Sequence, residues 1–334
     1  MDNNLILEIL DTNAPRTMVE KLHAEARRLT DESFGRDVYA RGLIEITNVC
    51  RNNCYYCGIR AGNRSVARYT LSQEQILQTC RTAHEAGLRT FVLQGGENPA
   101  LTAGMIASTL RKISSEFPDS AITLSLGEWD DASLKLFRDA GATRYLLRHE
   151  TRSERHYGML HPASMSLDNR IRCLRTLKRL GYQTGTGIMT GSPFQTLRDI
   201  ISDIEFMREL QPEMIGIGPF IPAAGTPLAS FPPGSVELTL RLISVLRIIF
   251  PKANIPATTA LATLDPARGR IAGLHAGANV VMPNVSPREA RDAYRLYDNK
   301  ASTGKESIEG LGELARSFAE AGFRLSFDRG DYHE

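Results

Sequence analysis

Cys50-Arg51-Asn52-Asn53-Cys54-Tyr55-Tyr56-Cys57 gathers three of the chain's five cysteines into eight residues. It follows a β-type run, Gly42 to Val49, and so reads as the loop leaving a strand. Thiolates at C-x3-C-x2-C spacing suit zinc or an iron-sulfur cluster, and the number of ligands separates the two. A closed structural zinc site asks for four ligands, usually with a second Cys/His pair farther along, and no such pair follows. A four-iron cluster normally takes one thiolate per iron, so three cysteines leave one iron open to a small molecule. The competing readings are a disulfide pair, a three-cysteine zinc knob, and a redox C-x-x-C at Cys54 and Cys57 that leaves Cys50 unexplained.

Outward from this loop, short apolar runs alternate with longer helical patterns, the signature of a parallel sheet. The runs predict strands over 42–49, 90–94, 121–126, 144–149, 183–189, 214–218, 254–260 and 278–282. Helical patterns fall near 72–87, 103–116, 131–140, 168–181, 196–210, 235–250, 265–275 and 287–296. Eight strand-helix units predict an α/β fold, a complete (β/α)8 TIM barrel over residues 36–297. An N-terminal helical extension, 1–35, precedes it, with Met18, Val19, Leu22, Ala26 and Leu29 on one face. A C-terminal extension, 298–334, follows, with a helix near 306–321 and a short apolar segment from Phe323 to Phe327.

The chain has 334 residues, 40 basic and 38 acidic, for a formal net charge of +2. A balance this even predicts neither nucleic acid nor a membrane surface as partner. The start, Met1-Asp2-Asn3-Asn4-Leu5, lacks a basic, then apolar, leader, and no window nears 18 uninterrupted apolar residues, so a cytoplasmic protein with reduced thiols is expected. Cys80 and Cys173 lie within apolar helical patterns and read as core thiols.

Barrel chemistry sits at the C-terminal ends of strands, where glycine, proline, charge and hydroxyl collect here. With Tyr56 before its last cysteine and a strand leading in, the cysteine loop resembles that of the radical S-adenosylmethionine (radical SAM) enzymes, whose open iron chelates SAM. Gln94-Gly95-Gly96-Glu97 matches their glycine-rich turn toward the methionyl amine; on its own it is a tight turn. Arg148-His149-Glu150 offers a guanidinium for a carboxylate and a carboxylate for ribose hydroxyls, or else a simple rim ion pair. Arg170 opens a helix, within reach of the SAM carboxylate or as a solvated helix start. Thr258 and Thr259, with Tyr294 and Tyr297, are candidates for the substrate side, although threonines in strands and tyrosines on helices are usually structural. His149, His156 and His161 lack a tight metal spacing and read as rim or loop residues.

A longer series of segments is more specific. Arg41 to Cys50, Val92 to Glu97, Thr123 to Trp129, Arg144 to Thr151, Met214 to Pro222, Ile255 to Ala260 and Ala278 to Asn284 resemble, in order, the FeFe-hydrogenase maturase HydE family. The resemblance implies one 4Fe-4S cluster on Cys50, Cys54 and Cys57. It implies SAM held by Tyr56, Gln94, Gly95, Gly96, Glu97, Ser125, Glu150 and Arg170, and a substrate cavity with Arg148, Thr258, Thr259 and Tyr294. It implies a role in building the dithiomethylamine-bridged di-iron subcluster, from an organometallic iron substrate delivered by the maturase HydG. HydF and a reductant such as ferredoxin or flavodoxin are the other expected partners. Some members carry three further cysteines for a second cluster; this chain reads Lys300-Ala301-Ser302-Thr303-Gly304-Lys305 and has no cysteine beyond Cys173. Related barrels such as methylornithine synthase and biotin synthase are the enzymatic alternatives. A cluster carrier that does not bind SAM is the non-catalytic one.

Overall fold

A computed structural model describes residues 1–301 and 304–333. Ser302 and Thr303, in the stretch that lacks second-cluster cysteines, lie outside the described residues. In chain order the elements are α1 (Asn3–Leu10), α2 (Arg16–Phe34), β1 (Asp37–Ala40), β2 (Gly42–Thr47), α3 (Gln73–Glu85), β3 (Thr90–Gly95), α4 (Ala103–Glu116), β4 (Ala121–Ser125), α5 (Asp131–Asp139) and β5 (Ala142–Leu146). There follow α6 (Glu154–Leu160), α7 (Leu167–Arg179), β6 (Gln183–Thr190), α8 (Leu197–Leu210), β7 (Met214–Pro219), α9 (Val236–Ile249), α10 (Thr259–Leu264), α11 (Gly269–His275), β8 (Val280–Val281), α12 (Arg288–Ala293), α13 (Leu311–Glu320) and β9 (Arg324–Ser326).

Strands β2 to β7 form one parallel sheet in sequential order. A parallel strand is covered on both faces, which is why these segments are near-continuous apolar runs; every residue of β2 is buried. The helices between them start on side-chain caps that satisfy free backbone N–H groups, such as the Ser72/Gln75 capping box of α3 and the Thr196/Asp199 box of α8. Helices α1 and α2 lie against α8 and α9. The strand order sends every loop that follows a strand to the same rim.

Two expected strands differ. Residues 254–260 form no strand: Asn254 and Pro256 make single parallel bridges to Met214 and Val280, and α10 begins at Thr259. Pro256 has no N–H to donate to a ladder, and Thr258 already has extended N-cap geometry. The run 278–282 shortens to β8, which pairs with β1 in a second parallel sheet of order β8-β1-β9. The described residues therefore form a six-strand and a three-strand sheet, where eight strands in one barrel were expected. Single backbone contacts continue past the six-strand sheet: Ala257 N–H donates to Val280, and Leu43 N–H to Pro283.

The C-terminal tail covers the N-terminal ends of the strands. Arg144 is fully buried and donates to the Arg329 carbonyl (2.8 Å) and to Asp331 (2.6 Å). Thr90 donates to the Arg329 carbonyl, and Arg41 and Asn254 donate to that of Gly330. Buried guanidinium groups need partners in place, so the tail Arg329-Gly330-Asp331 acts as a polar plug. Cys80 and Cys173 are buried in the core as expected.

Candidate functional site

The cysteine loop leaves β2 through Asn48, which is fully buried. Its side chain donates to the carbonyls of Ala67 and Ala293 and accepts from Tyr69 N–H. Arg68 donates to four carbonyls, of Asn48, Ile59, Arg60 and Asn63, and so holds the return of the loop. Gly58 allows the closest approach: a Cβ there would lie 2.1 Å from the Arg295 carbonyl oxygen. Tyr55 bridges neighbouring segments, its N–H donating to Leu160 and its carbonyl accepting from Leu228.

All three thiols are half-buried and free. Burial pushes each above its ordinary range, Cys57 to about 12, and for Cys54 and Cys57 the neighbouring thiols add to the rise. Among the described residues no three His, Cys, Asp or Glu side chains are grouped to hold a single metal ion. A cluster sends each thiolate to a different iron, so its ligands stand farther apart than those of one ion. Three free thiols on one short loop, with Cys54 and Cys57 each feeling the charge of Cys50, fit that demand.

The Gly95-Gly96 turn packs directly on this loop. A Cβ on Gly96 would lie 2.4 Å from the Val49 carbonyl oxygen and 2.7 Å from Cys50 Cβ. The glycines thus first serve close packing of two loops. Glu97 is committed: it pairs with Arg51 (2.9 Å) and accepts from Glu128 N–H (3.1 Å). Gly127, at φ +74°, leaves room for that carboxylate. Gln94 and Ser125 are register neighbours at the ends of β3 and β4.

Across the rim, Glu150 has φ +65°, a left-handed conformation that costs a non-glycine residue energy and that clusters at functional sites. Its carboxylate lies 3.0 Å from Arg148. The pair is not aligned as a hydrogen bond, and Arg148 Nε and Nη2 and Glu150 Oε2 are buried without a hydrogen-bond partner. Arg170 is buried in the first turns of α7, not solvated at its start. It donates to Glu128 (2.5 Å) and to the Arg148 carbonyl (2.7 Å). Burial opposes its charge, but Glu128 and the neighbouring tyrosines raise its pKa further above the ordinary range. Glu128 is the partner sequence reasoning missed; its place in Gly127-Glu128-Trp129 was the signal.

The threonines sit on the start of α10, not on a strand. Thr258 Oγ1 is buried and unpartnered, while Thr259 Oγ1 accepts from Arg270 (3.4 Å). Tyr294 caps the C-terminal end of α12, is buried, and its hydroxyl accepts from Gln94 (3.4 Å). The fully buried Glu45 of β2, unmarked by any sequence motif, pairs with Lys300, whose ammonium stands 4.9 Å from the Tyr294 ring centre. Burial raises the Glu45 pKa and Lys300 opposes that rise. One Glu45 oxygen has no hydrogen-bond partner.

The three histidines are buried; His149 and His161 lie in loops, one of the expected placements, and His156 lies on α6. His149 lies between Thr186 (2.8 Å) and Asp203 (3.4 Å). Asp203 also accepts from Arg152 N–H, so it grips both sides of the strained Glu150. His156 contacts the Pro193 carbonyl (3.1 Å). His161 Nδ1 is 3.2 Å from the Tyr157 carbonyl, so that nitrogen carries the proton and Nε2 accepts from the Tyr56 hydroxyl (3.3 Å). Burial, then the charge of Arg170, drives the His161 pKa down to about 3 and keeps it neutral.

Comparison with known proteins adds to this geometry. Residues 44–207 match the radical SAM superfamily. The chain is 41% identical over 309 residues to the [FeFe] hydrogenase maturase subunit HydE of Thermotoga maritima, covering 88% of each. The chain belongs to the radical SAM HydE family. It is therefore a radical SAM enzyme, and a family of this type implies a 4Fe-4S cluster and SAM. The 3-methylornithine synthase of Methanosarcina barkeri is 33% identical over 294 residues, covering 88% of this chain and 82% of that one. The crystal structure of methylornithine synthase (PylB) superposes with a TM-score of 0.86 at 28% identity, over 97% of this chain and 94% of that one. Among the described residues no helix is long and apolar enough to cross a membrane.

Proposed function

We propose that this HydE-family enzyme cleaves SAM reductively and acts in building the di-iron subcluster of FeFe-hydrogenase, with its dithiomethylamine bridge. One 4Fe-4S cluster would be held by Cys50, Cys54 and Cys57, supplying the electron that converts SAM to methionine and a 5′-deoxyadenosyl radical. The observation that carries the reading is the rim facing this loop, where Arg148 Nε and Thr258 Oγ1 are buried without a hydrogen-bond partner and the Arg148–Glu150 ion pair, 3.0 Å apart, is not aligned as a hydrogen bond. Buried polar atoms are costly when unpaired, so this rim is built to receive a polar ligand.

In this reading Glu150 accepts hydrogen bonds from ribose hydroxyls, Gln94 to Glu97, Ser125 and Tyr56 enclose the nucleoside, and Arg170 sets the position of the Arg148 carbonyl while facing the SAM carboxylate. Arg148, Thr258, Thr259 and Tyr294 orient the second substrate and keep water away from it. The backbone contacts from 254–257 through 279–284 back to β2 support a closed ring of eight segments, a complete barrel over 36–297 between extensions 1–35 and 298–334. HydG, as source of an organometallic iron substrate, and HydF are the proposed pathway partners.

Anaerobically reconstituted protein with dithionite is expected to yield 5′-deoxyadenosine from SAM, and Cys54→Ala to yield none; an active Cys54→Ala variant would refute the assignment. The likeness to methylornithine synthase favours a second reading, isomerisation of an amino acid. Lysine added with SAM would then give a branched isomer, and in the HydE reading it stays unchanged.

A further inference from the structure

Two tyrosines flank His161, and their hydroxyls are used differently. The Tyr157 ring stacks on the imidazole, with centroids 4.0 Å apart and planes 25° from parallel, and the Tyr56 ring meets it edge-on at 5.5 Å. The Tyr56 hydroxyl donates to Nε2 of that imidazole (3.3 Å). The Tyr157 hydroxyl has no hydrogen-bond partner, although the residue is only 3% exposed and the oxygen itself is buried. The Tyr157 carbonyl accepts from both the backbone N–H and Nδ1 of His161, so ring and backbone are held together and the hydroxyl is fixed where it stands. A buried hydroxyl without a partner costs stability. A rigid one keeps that cost until a ligand removes it.

The hydroxyl belongs to the surroundings of the cysteine loop. Tyr157 lines a cavity of about 450 Å³ with Tyr55, His161 and Met165, and Met165 Sδ lies 3.6 Å from Cys54 Sγ. Burial pushes the Tyr157 pKa up; Arg170 opposes that rise, and Glu128, Cys54 and Glu150 add to it, so the group is a neutral O–H donor. The carboxylates near it are already engaged: Glu128 accepts from Arg170 and Asn169, and Glu150 pairs with Arg148. Arg170 spends Nε on Glu128 and Nη1 on the Arg148 carbonyl, which leaves its third nitrogen, Nη2, for a ligand. A guanidinium nitrogen and a neutral hydroxyl beside Cys54 together suit an anionic oxygen. An ammonium placed there would meet the guanidinium charge instead.

We propose that the Tyr157 hydroxyl donates a hydrogen bond to the carboxylate of bound SAM, beside Arg170, and is thus a further SAM-binding residue of this enzyme. The inference rests on the radical SAM reading, in which Arg170 faces that carboxylate. The imidazole of His161 separates the two tyrosines: it occupies the Tyr56 hydroxyl and backs the Tyr157 ring, so a single hydroxyl is left for the ligand. Its rigidity lowers what must be ordered when SAM binds.

Tyr157→Phe removes the hydroxyl and keeps the stacked ring. In anaerobically reconstituted protein its Kd for SAM by equilibrium dialysis should rise about tenfold, the size expected for a lost hydrogen bond to a charged group. Its Kd for decarboxylated SAM, which keeps the nucleoside, sulfonium and amine, should match that of the parent. Iron content should also match. The melting temperature of the metal-free chain should hold or rise, because an unpaired buried hydroxyl is gone. An unchanged SAM Kd overturns the proposal, as does an equal weakening toward both ligands. A fall in the melting temperature overturns it too, since the hydroxyl would then have a partner within the fold. Failure of the parent protein to bind SAM at all would instead overturn the radical SAM reading, so the two failures are distinguishable.

Discussion

The two ends of the parallel strands treat buried charge differently. At the N-terminal ends, Arg41 and Arg144 are covered by the tail, whose carbonyls at Arg329 and Gly330 and carboxylate at Asp331 accept from them. At the C-terminal ends, Arg148, Glu150 and Thr258 keep buried atoms without hydrogen-bond partners. Beside them Glu150 holds a strained backbone, gripped through Asp203. In the first, three groups of the tail accept from the guanidiniums, and of the guanidinium nitrogens the two Nε atoms lack a partner. The second, with a strained backbone as well, is the arrangement a ligand would complete. The same sheet therefore separates a structural end from a reactive one.

The comparison can be broken most severely at the reactive end. Cys54→Ala should lose reconstituted iron and all 5′-deoxyadenosine production while the melting temperature of the metal-free chain stays near that of the parent; a large fall in that temperature would show the loop to be structural. Arg170→Met leaves the largely covered Glu128 carboxylate with Asn169 but no cation. It should cost about 3 kcal/mol in denaturant unfolding, within the range for breaking a buried pair. Glu128→Gln added to it should recover part of the loss.

At the structural end, Asp331→Asn should cost about 2 kcal/mol, as for a hydrogen bond to a charged group, and leave SAM cleavage unchanged. Burial raises the Asp331 pKa, but Arg329 and Arg144 outweigh it and hold the carboxylate at about 2, below its ordinary 3.8. A depressed carboxylate pKa stabilises the fold above the unfolded value, and that stability is lost as pH falls from about 4 through 2. The acid limb of a stability profile should therefore flatten in Asp331→Asn. Gly96→Ala should cost about 1–3 kcal/mol from crowding against backbone, with reduced iron content because the new Cβ pushes on Val49 and Cys50.

Much of this was legible in the sequence. Strands β2 to β7 were readable because a doubly covered parallel strand must be apolar along its length, and helices α3, α4 and α8 because their caps and periodicity are local. The strand expected over 254–260 was misread from its apolar composition, where Pro256 and the Thr258 cap prevail. The α1 helix and strands β1 and β9 are short, and the partners that give them meaning lie far along the chain: Asp37 pairs in register with Arg324. At the site, the cysteine triad and the glycine turn were visible as motifs. The depth of His149, His156 and His161 was not, since burial is a property of what packs around a residue.

What the sequence by itself determined is the chemistry available: three thiols on one loop, a strand-helix alternation that sends loops to one rim, and a tail without cysteines. Only the tertiary structure decided how those groups are paired. Arg170 meets Glu128 from 42 positions away and Lys300 meets Glu45 from 255. Neither pairing follows from local spacing, because an ion pair depends on distance in space, which packing of the whole chain sets. The same holds for the tail at Arg144, and for the rim atoms left without partners.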